Sequence, residues 1–404
     1  MNFIRSNTQA ATEAGTVGAS AGTQAGGETV PAQHSDDDLQ LSVTGLHKQF
    51  GSEFELSAID LDVGTDEIVA LLGPSGCGKT TALRCIAGVE TPDGGEIVVD
   101  GERVFGDGVE MPPEKRDVGM VYQNYAIWPH KSVYENVVFP LKHGVHDVPR
   151  DEYEDRVDEM LELMEISDLK DSPATDLSGG QQQRTALARS LVHDPDLLLL
   201  DEPLSNLDKE LRKHMRYELQ RLQHEIGVSM LYVTHDQEEA FYLADRVLVM
   251  SDGEIVERGN PRQLYEQPRS PFTRQFIGVS NKFTGTVERD GEGTKIVRSG
   301  LVDFPLATAE YASENIEDGD VVCFLRPRDI AIERCVDDVG DRMAVTGTVV
   351  AKGVLGERYE VTVQFDGRDL ELNVHTENCH RFDRGEKLTL LFSPEHLQVY
   401  DTTD

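Results

Sequence analysis

At 404 residues the chain is long enough for two or three domains with cores of their own. Its 74 Asp and Glu against 38 Lys and Arg give a formal charge of −36, which argues against nucleic acid as a partner, because phosphate backbones are bound by basic surfaces. The carboxylates are spread along the whole chain, a distribution that suits a surface solvated in concentrated salt and points to a halophile.

Residues 1–37 consist largely of Ala, Gly, Thr, Ser, Gln and Glu, too polar to offset the entropy of ordering, and are expected to form a disordered tail. The tail lacks the apolar core of a signal peptide, and no apolar run reaches the length of a membrane span, so the chain is expected in the cytoplasm. Any channel it serves would come from another chain. Cys77, Cys85, Cys323, Cys335 and Cys379 show no C-x-x-C spacing and read as reduced thiols rather than a disulfide frame or zinc site.

From Leu39 to Val63 the alternation predicts two strands with Phe50-Gly51 at their turn. The apolar strand Ile68–Leu72 leads into Gly73-Pro74-Ser75-Gly76-Cys77-Gly78-Lys79-Thr80, a G-x-x-x-x-G-K-[ST] motif, and a helical run from Thr81 to Ala87 follows. That order is a phosphate cradle: loop N–H groups face the α- and β-phosphates, and the helix start adds its positive end. Lys79 is placed to reach the β- and γ-phosphates, the Thr80 hydroxyl to ligate Mg²⁺, and Thr81 continues the cradle. Cys77 has two readings here, an alkylation-sensitive thiol or plain packing. Pro92-Asp93-Gly94-Gly95 is a turn before a scaffold strand at Glu96–Asp100, and a further strand, Val118–Tyr122, ends at Gln123.

The segment from Trp128-Pro129-His130 to Leu141 carries apolar and aromatic residues that a solvated surface usually hides. Asp151–Leu169 places Val157, Met160, Leu161 and Met164 at helical spacing among acids, an amphipathic helix. Ser178-Gly179-Gly180-Gln181 opens a helix expected from Gln182; free N–H groups at such a start bind anions, although Ser178 alone would serve as a cap. Leu197–Leu200 reads as a fully buried strand that ends on Asp201-Glu202. Two carboxylates at the carboxyl end of a buried parallel strand lie where open α/β sheets bind ligands; one can hold a metal while its neighbour takes a proton from water. Met230–Val233 forms another buried strand ending at Thr234-His235, with Asp236 and Glu239 at capping-box spacing. A hairpin of 247–250 with 254–257, turned by Asp252-Gly253, closes this region.

Taken together, the phosphate loop, Leu177-Ser178-Gly179-Gly180-Gln181 and LLLLDEP at 197–203 resemble the ATP-binding cassette family, from about residue 40 to the C-terminus. The resemblance implies an α/β fold: a P-loop nucleotide-binding domain over 38–280, with a helical subdomain at about 124–190. It implies ATP and Mg²⁺ as cofactors and a head-to-tail homodimer, in which Ser178 and Gly180 of one subunit close over the γ-phosphate held by the other. Within the site it implies that Phe50 stacks on adenine, that Asp201 holds Mg²⁺ through water, and that Glu202 is the general base. Gln123 would contact Mg²⁺ and the attacking water and begin a linker that senses a membrane partner. His235 would donate to the γ-phosphate and hold Glu202 in place, and Asp208 would link the two sites across the dimer. Asn206 stands where Ala is more usual in the family. The Trp128 to Leu141 segment then has two readings, packing inside the helical subdomain or a groove for a coupling helix of a permease.

GNPRQLYEQPRSPFTRQFIGVSN at 259–281 resembles the exit of importer ATPases that carry a C-terminal accessory domain. Short alternating segments at 284–288, 321–325, 345–351, 358–365 and 388–392 predict an all-β, OB-like barrel domain over 281–404. Arg326-Pro327-Arg328-Asp329-Ile330 and Val354-Leu355-Gly356 are similar to the barrels of maltose, iron(III) and spermidine importer ATPases, and the charge suggests a haloarchaeal source. The implied partners are two integral-membrane permease subunits and, indirectly, an extracellular solute-binding protein; the implied place is the cytoplasmic face of the membrane. FIGVSNKFTG and YAIWPH look nearer the iron(III), polyamine and oxyanion importers than the sugar importers. The alternatives are a sugar importer ATPase and a regulatory ATPase without a transport role. DNA-repair and chromosome ATPases place long coiled coils between P-loop and LSGGQ, and ribosome-acting ones normally carry two cassettes; neither feature is found.

Overall fold

The apolar runs of the first half become one parallel sheet, and the alternating ones an antiparallel sheet beside it. The computed structural model describes residues 38–402 apart from 52–53, 145–147, 310, 313–315, 335–338, 357, 366, 368–369 and 378–380. The expected N-terminal tail, Cys335 and Cys379 lie outside the described residues. The chain divides into two compact units, Met1–Ile255 and Val256–Asp404.

In the first unit β1 (Leu39–Phe50) and β2 (Phe54–Gly64) pair antiparallel, as their alternation requires. β3 (Ile68–Leu72) is buried at all five positions and runs through the phosphate loop into α1 (Lys79–Ile86). β4 (Gly94–Val99), β5 (Glu102–Gly106) and β6 (Val109–Glu110) extend the first pair into a sheet of order β2-β1-β4-β5-β6. The sequence reading contained only β4 of these three. β7 (Val118–Val121) then opens the helical insert of α2 (Val133–Val137), α3 (Phe139–His143), α4 (Tyr153–Leu163) and α5 (Gly179–Leu191). α4 buries Val157 and Leu161 and stops earlier than its acidic pattern suggested, with Glu165 at φ 56 just beyond it.

After the insert come β8 (Leu197–Asp201), α6 (Lys209–Ile226), β9 (Ser229–Thr234), α7 (Gln237–Leu243) and β10 (Arg246–Ser251). The four contacts in the order β10-β3-β9-β8-β7 are all parallel. β8 and β9 are buried at every position, which is why they read as unbroken apolar runs. β11 (Glu254–Gly259), in which the division between the units falls, lies next to β10. One apolar core, from Leu41 to Met250, joins both sheets and α1. The carboxyl ends of β3, β7, β8 and β9 therefore come out on one edge, each carrying a predicted site residue.

The second unit begins with α8 (Pro261–Glu266) and α9 (Pro271–Phe276) and continues as strands. β12 (Asn281–Arg289), β13 (Lys295–Ser299), β14 (Phe304–Pro305), β15 (Tyr311–Ala312) and β16 (Gly319–Leu325) belong to one sheet. β17 (Ala331–Glu333), β18 (Met343–Leu355), β19 (Arg358–Gln364), β20 (Glu371–Thr376) and β21 (Lys387–Phe392) form the other, and β22 (Gln398–Asp401) returns to the first. A single core containing Val287, Phe304, Cys323, Val361, Leu390 and Phe392 lies between the two sheets. Asn281 bonds the backbone of Asn373 in both directions, Nδ2 to O at 2.8 Å and Oδ1 from N at 2.7 Å, tying one sheet to the other.

This unit also grips its own leading helices. The Tyr265 ring lies 3.9 Å from the Arg326 guanidinium and 5.1 Å from that of Arg328, and Arg326 also donates to the Tyr265 carbonyl. Gln398 Nε2 donates to Glu266 O at 2.8 Å, and the buried Tyr400 hydroxyl donates to Pro268 O at 2.7 Å. The RPRD turn noticed in the sequence is thus half of a clamp on α8.

Candidate nucleotide site

β3 delivers the chain to a loop that only glycine can build at its first position. A Cβ on Gly73 would stand 2.2 Å from Met250 O, so the loop backbone touches the end of β10 directly. Gly76 and Gly78 adopt φ of 87° and 109°, turning their peptide groups as L side chains rarely allow. Ser75 and Gly76 form the exposed crest, while Gly73, Cys77 and Lys79 are buried. Lys79 Nζ donates to Gly73 O and Pro74 O, both at 2.9 Å, which holds the ammonium beside the loop. Thr80 and Thr81 follow in the first turn of α1. The Cys77 thiol is only 5% exposed and burial pushes it up, with Lys79 opposing; this is the environment of a packed, unreactive thiol.

β8 brings Asp201 to the same edge. Thr80 Oγ1 donates to Asp201 Oδ1 at 2.7 Å, joining the motif threonine to the motif aspartate across 121 residues. Burial raises the Asp201 carboxyl, against the Thr80 hydrogen bond and the charges of Arg84 and Lys79. A hydroxyl and a carboxylate together are the oxygen donors Mg²⁺ prefers, and that ion takes its other ligands from phosphate and water. Among the described residues no group of three or more His, Cys, Asp or Glu could hold a metal without such help. The glycine cradle and this donor pair therefore fit a magnesium nucleotide.

Glu202 follows at φ 45°, a conformation costly for a residue with a side chain. Its N–H donates to Val233 O at 2.9 Å, and its carbonyl accepts from Ser205 Oγ at 2.9 Å. Each carboxylate oxygen meets one predicted partner: Gln123 Nε2 donates to Oε2 at 3.2 Å, and His235 Nδ1 lies 3.0 Å from Oε1. The Glu202 side chain is 13% exposed and that of His235 50% exposed, so a carboxylate in a recess is flanked by an accessible imidazole.

Ser178 caps α5: its Oγ accepts from Gln181 N, and Gln181 Oε1 accepts from Ser178 N at 2.8 Å. This full capping box starts the helix at Gly179, three residues before the predicted Gln182. Ser178 and Gly179 are exposed, whereas Gly180 is buried, and a Cβ there would meet Leu211 at 3.3 Å. Among the described residues no hydrogen bond joins 178–181 to the phosphate loop of the same chain. Asp208 caps α6, accepting from Glu210 N and Leu211 N. Phe50 is 43% exposed at the end of β1, with Lys48 Nζ 5.4 Å from its ring centre, so it is no core aromatic.

Asp236 caps α7 through the N–H groups of Glu238 and Glu239, as predicted. The other half of the predicted capping box is not formed. The buried Glu239 instead accepts from Tyr232 OH at 2.9 Å and Thr234 Oγ1 at 2.8 Å, and Asp236 N donates to Thr234 Oγ1. Sequence reasoning missed three linking residues. Arg189 donates to Tyr125 O and Ala126 O beyond Gln123; Asn206 Nδ2 donates to Gln123 O at 2.8 Å; Arg212 reaches Leu207 O and Asp236. Only Asn206, noticed as unusual, gave any signal.

The segment around Trp128 lines a cavity of about 530 Å³ with Met120, Tyr122, Phe139, His143 and Arg189. The Trp128 ring lies 4.4 Å from that of Phe139, tilted by 46°, and its backbone is held both ways by the buried Asn136 amide. Some of these aromatics thus pack together and still leave an open groove. Among the described residues no helix is long and apolar enough to cross a membrane.

A parallel sheet with a phosphate loop, a paired acidic strand end and a flanking histidine defines a nucleoside-triphosphate hydrolase. Comparison with known proteins narrows this. The ABC transporter family matches residues 56–205, and the TOBE domain family matches 323–399. The chain is 41% identical over 336 residues to the spermidine/putrescine import ATP-binding protein PotA of Aliivibrio fischeri, covering 83% of this chain and 87% of that protein. It is 42% identical over 348 residues to PotA of Thermobifida fusca, covering 85% and 88%. Among solved structures it is similar to cbiO1 of Clostridium perfringens, part of the ABC transporter complex cbiONQ, at TM-score 0.51 and 31% identity, covering 57% of this chain and 92% of that one. The chain belongs to the ABC transporter ATPases, in the importer subgroup that carries a TOBE domain. It is an ATP-binding, ATP-hydrolysing protein.

Proposed function

We propose that this chain powers polyamine uptake, two copies closing head to tail around two magnesium nucleotides. Each phosphate loop holds one ATP through its N–H groups and Lys79, with Phe50 against the base. Thr80, Gln123 and Asp201 would hold Mg²⁺, whose charge would help to neutralise the phosphates. Ser178–Gln181 of the opposing copy complete the γ-phosphate site, and Asp208 links the two sites. Glu202 takes a proton from the attacking water, while His235 orients Glu202 and donates to the γ-phosphate. Closure drives the permeases and hydrolysis resets the dimer.

The observation that carries the chemistry is the Glu202 carboxylate, gripped at one oxygen by Gln123 and approached at the other by His235. The groove at Trp128 suits a short helix of a permease subunit, which would place the protein at the cytoplasmic face of the membrane. The similarity to PotA, a spermidine/putrescine import ATP-binding protein, favours these polyamines over iron(III), oxyanions and sugars. The test is reconstitution with a candidate polyamine permease pair and its solute-binding protein from the same organism, measuring ATP-dependent uptake of labelled spermidine. Uptake that competes with putrescine and stops on Lys79→Ala supports the reading; uptake of sugar or iron(III) alone would sink the polyamine assignment.

A further inference from the structure

Two side chains downstream of Glu202 reach back to the segments that grip it. Asn206, exposed in the loop before α6, donates through Nδ2 to the backbone carbonyl of Gln123 at 2.8 Å. That bond fixes the strand end from which the Gln123 side chain extends to Glu202 Oε2. Arg212, in the first turns of α6, works on the other side. Its Nη2 donates to Leu207 O at 3.1 Å and its Nη1 to Asp236 Oδ2 at 3.2 Å, while Nε lies 3.6 Å from Glu239 Oε1. Asp236 directly follows His235, and Glu239 is anchored through Tyr232 and Thr234 to the strand that ends just before His235. A single planar guanidinium therefore ties the loop before α6 to both acids around the histidine, a role the point charge of lysine cannot fill.

We propose that Asn206 and Arg212 are positioning residues for hydrolysis. Asn206 sets the Gln123 side of the grip on Glu202 and Arg212 the His235 side, so the loop Leu204–Asp208 places both partners of the base together. This rests on the reading of Glu202 as general base. Because Asp208 caps the helix that carries Arg212, a shift of this loop on contact with a second copy would reach both sides of the carboxylate at once. Displacement of a reacting group by about 1 Å can cost on the order of a hundredfold in rate, so a loosened grip is felt in turnover before it is felt in binding.

The experiment uses the full chain carrying Asn206→Ala or Arg212→Lys, each alone and combined with Glu202→Gln. Steady-state ATPase gives kcat and KM, single-turnover cleavage of γ-labelled ATP gives the residual rates, and thermal melting reports folding. The expected result is a fall in kcat of about tenfold for each substitution with KM changed less than about twofold. In the Glu202→Gln background each should slow the residual rate by much less than it slows the parent, because the base that Gln123 and His235 hold for them has been removed. A kcat near that of the parent, a rise in KM matching the fall in kcat, or an equal loss in both backgrounds would overturn the proposal. If Arg212→Lys melts early, Asn206→Ala, which alters one exposed side chain, decides. Parental turnover by Glu202→Gln would instead overturn the base reading and this proposal with it; slow Glu202→Gln with silent Asn206 and Arg212 variants would overturn this proposal alone.

Discussion

Replacing Glu202 with Gln separates chemistry from structure. The carboxylate has two polar neighbours, His235 Nδ1 at 3.0 Å from Oε1 and Gln123 Nε2 at 3.2 Å from Oε2. Glutamine keeps one acceptor oxygen in the same shape, so at most one of the two contacts is lost. That costs about 0.5–1.5 kcal/mol of stability. A general base contributes roughly 10²–10⁴ in rate, or about 2.7–5.4 kcal/mol of barrier at about 1.36 kcal/mol per decade. The loss of turnover therefore exceeds the loss of stability, by roughly twofold to tenfold in free energy. We expect calorimetry to show ATP binding within about threefold of the parent, because the phosphate loop is untouched. Light scattering should show an ATP-dependent dimer that persists, and single-turnover cleavage should be slower by at least about a hundredfold. Turnover within tenfold of the parent would refute the assignment of the base, and a collapsed melting curve with ATP binding lost would show that Glu202 is structural.

Lys79→Ala removes the ammonium that bridges Gly73 O and Pro74 O, and calorimetry should show ATP affinity reduced by at least about tenfold. Arg246 bonds Glu67 Oε1 at 2.6 Å and Asp62 Oδ2 at 2.7 Å, so Arg246→Leu leaves two clustered carboxylates without their cation and should cost about 3 kcal/mol in urea unfolding. Burial lowers the His375 imidazole, with Arg358 adding to the effect and Glu360 opposing it. A folded-state value below the ordinary 6.5 means that the histidine's contribution is present above that pH and is lost as pH falls through the lowered value. Melting curves of the second unit should weaken from pH 7 to 5, and His375→Asn should flatten that slope. The formal charge of −36 predicts a melting temperature that climbs with KCl, and a flat response from 0.1 to 2 M would remove the case for a salt-adapted surface.

The phosphate loop, the strand ending in Asp201-Glu202 and the Ser178 cap were legible because each is a contiguous run whose spacing carries its geometry. Of the second unit, β12, β16, β18, β19 and β21 were legible for the same reason, from alternation, whereas β13, β14, β15, β17, β20 and β22 were not. What the sequence could not show is pairing over distance. Asn206 meets the Gln123 carbonyl across 83 residues, and Arg189 meets Ala126 across 63. Neither contact leaves a local pattern: Asn206 looks like any polar residue on an exposed turn, and Arg189 like any basic residue in a helix. The Asp236 and Glu239 spacing is the instructive failure. It fits a capping box, but Tyr232 and Thr234 offer the buried Glu239 two hydroxyls at its own depth, and a buried carboxylate takes the partners that satisfy it there. β5 and β6 escaped notice because five- and two-residue strands between glycine turns carry too little alternation.

The clamp on α8 has a practical consequence for anyone dividing the chain. A fragment begun at residue 281, where the sequence suggests the accessory domain starts, would omit Tyr265, Glu266 and Pro268. Arg326, 4% exposed, would lose the ring and carbonyl it lies against, and the Tyr400 hydroxyl would lose the Pro268 carbonyl while keeping Gln398 Oε1 at 3.1 Å. Such a fragment would bare the apolar and aromatic surface that α8 covers, a recipe for aggregation during expression. A cut made before α8 keeps lock and key on the same piece.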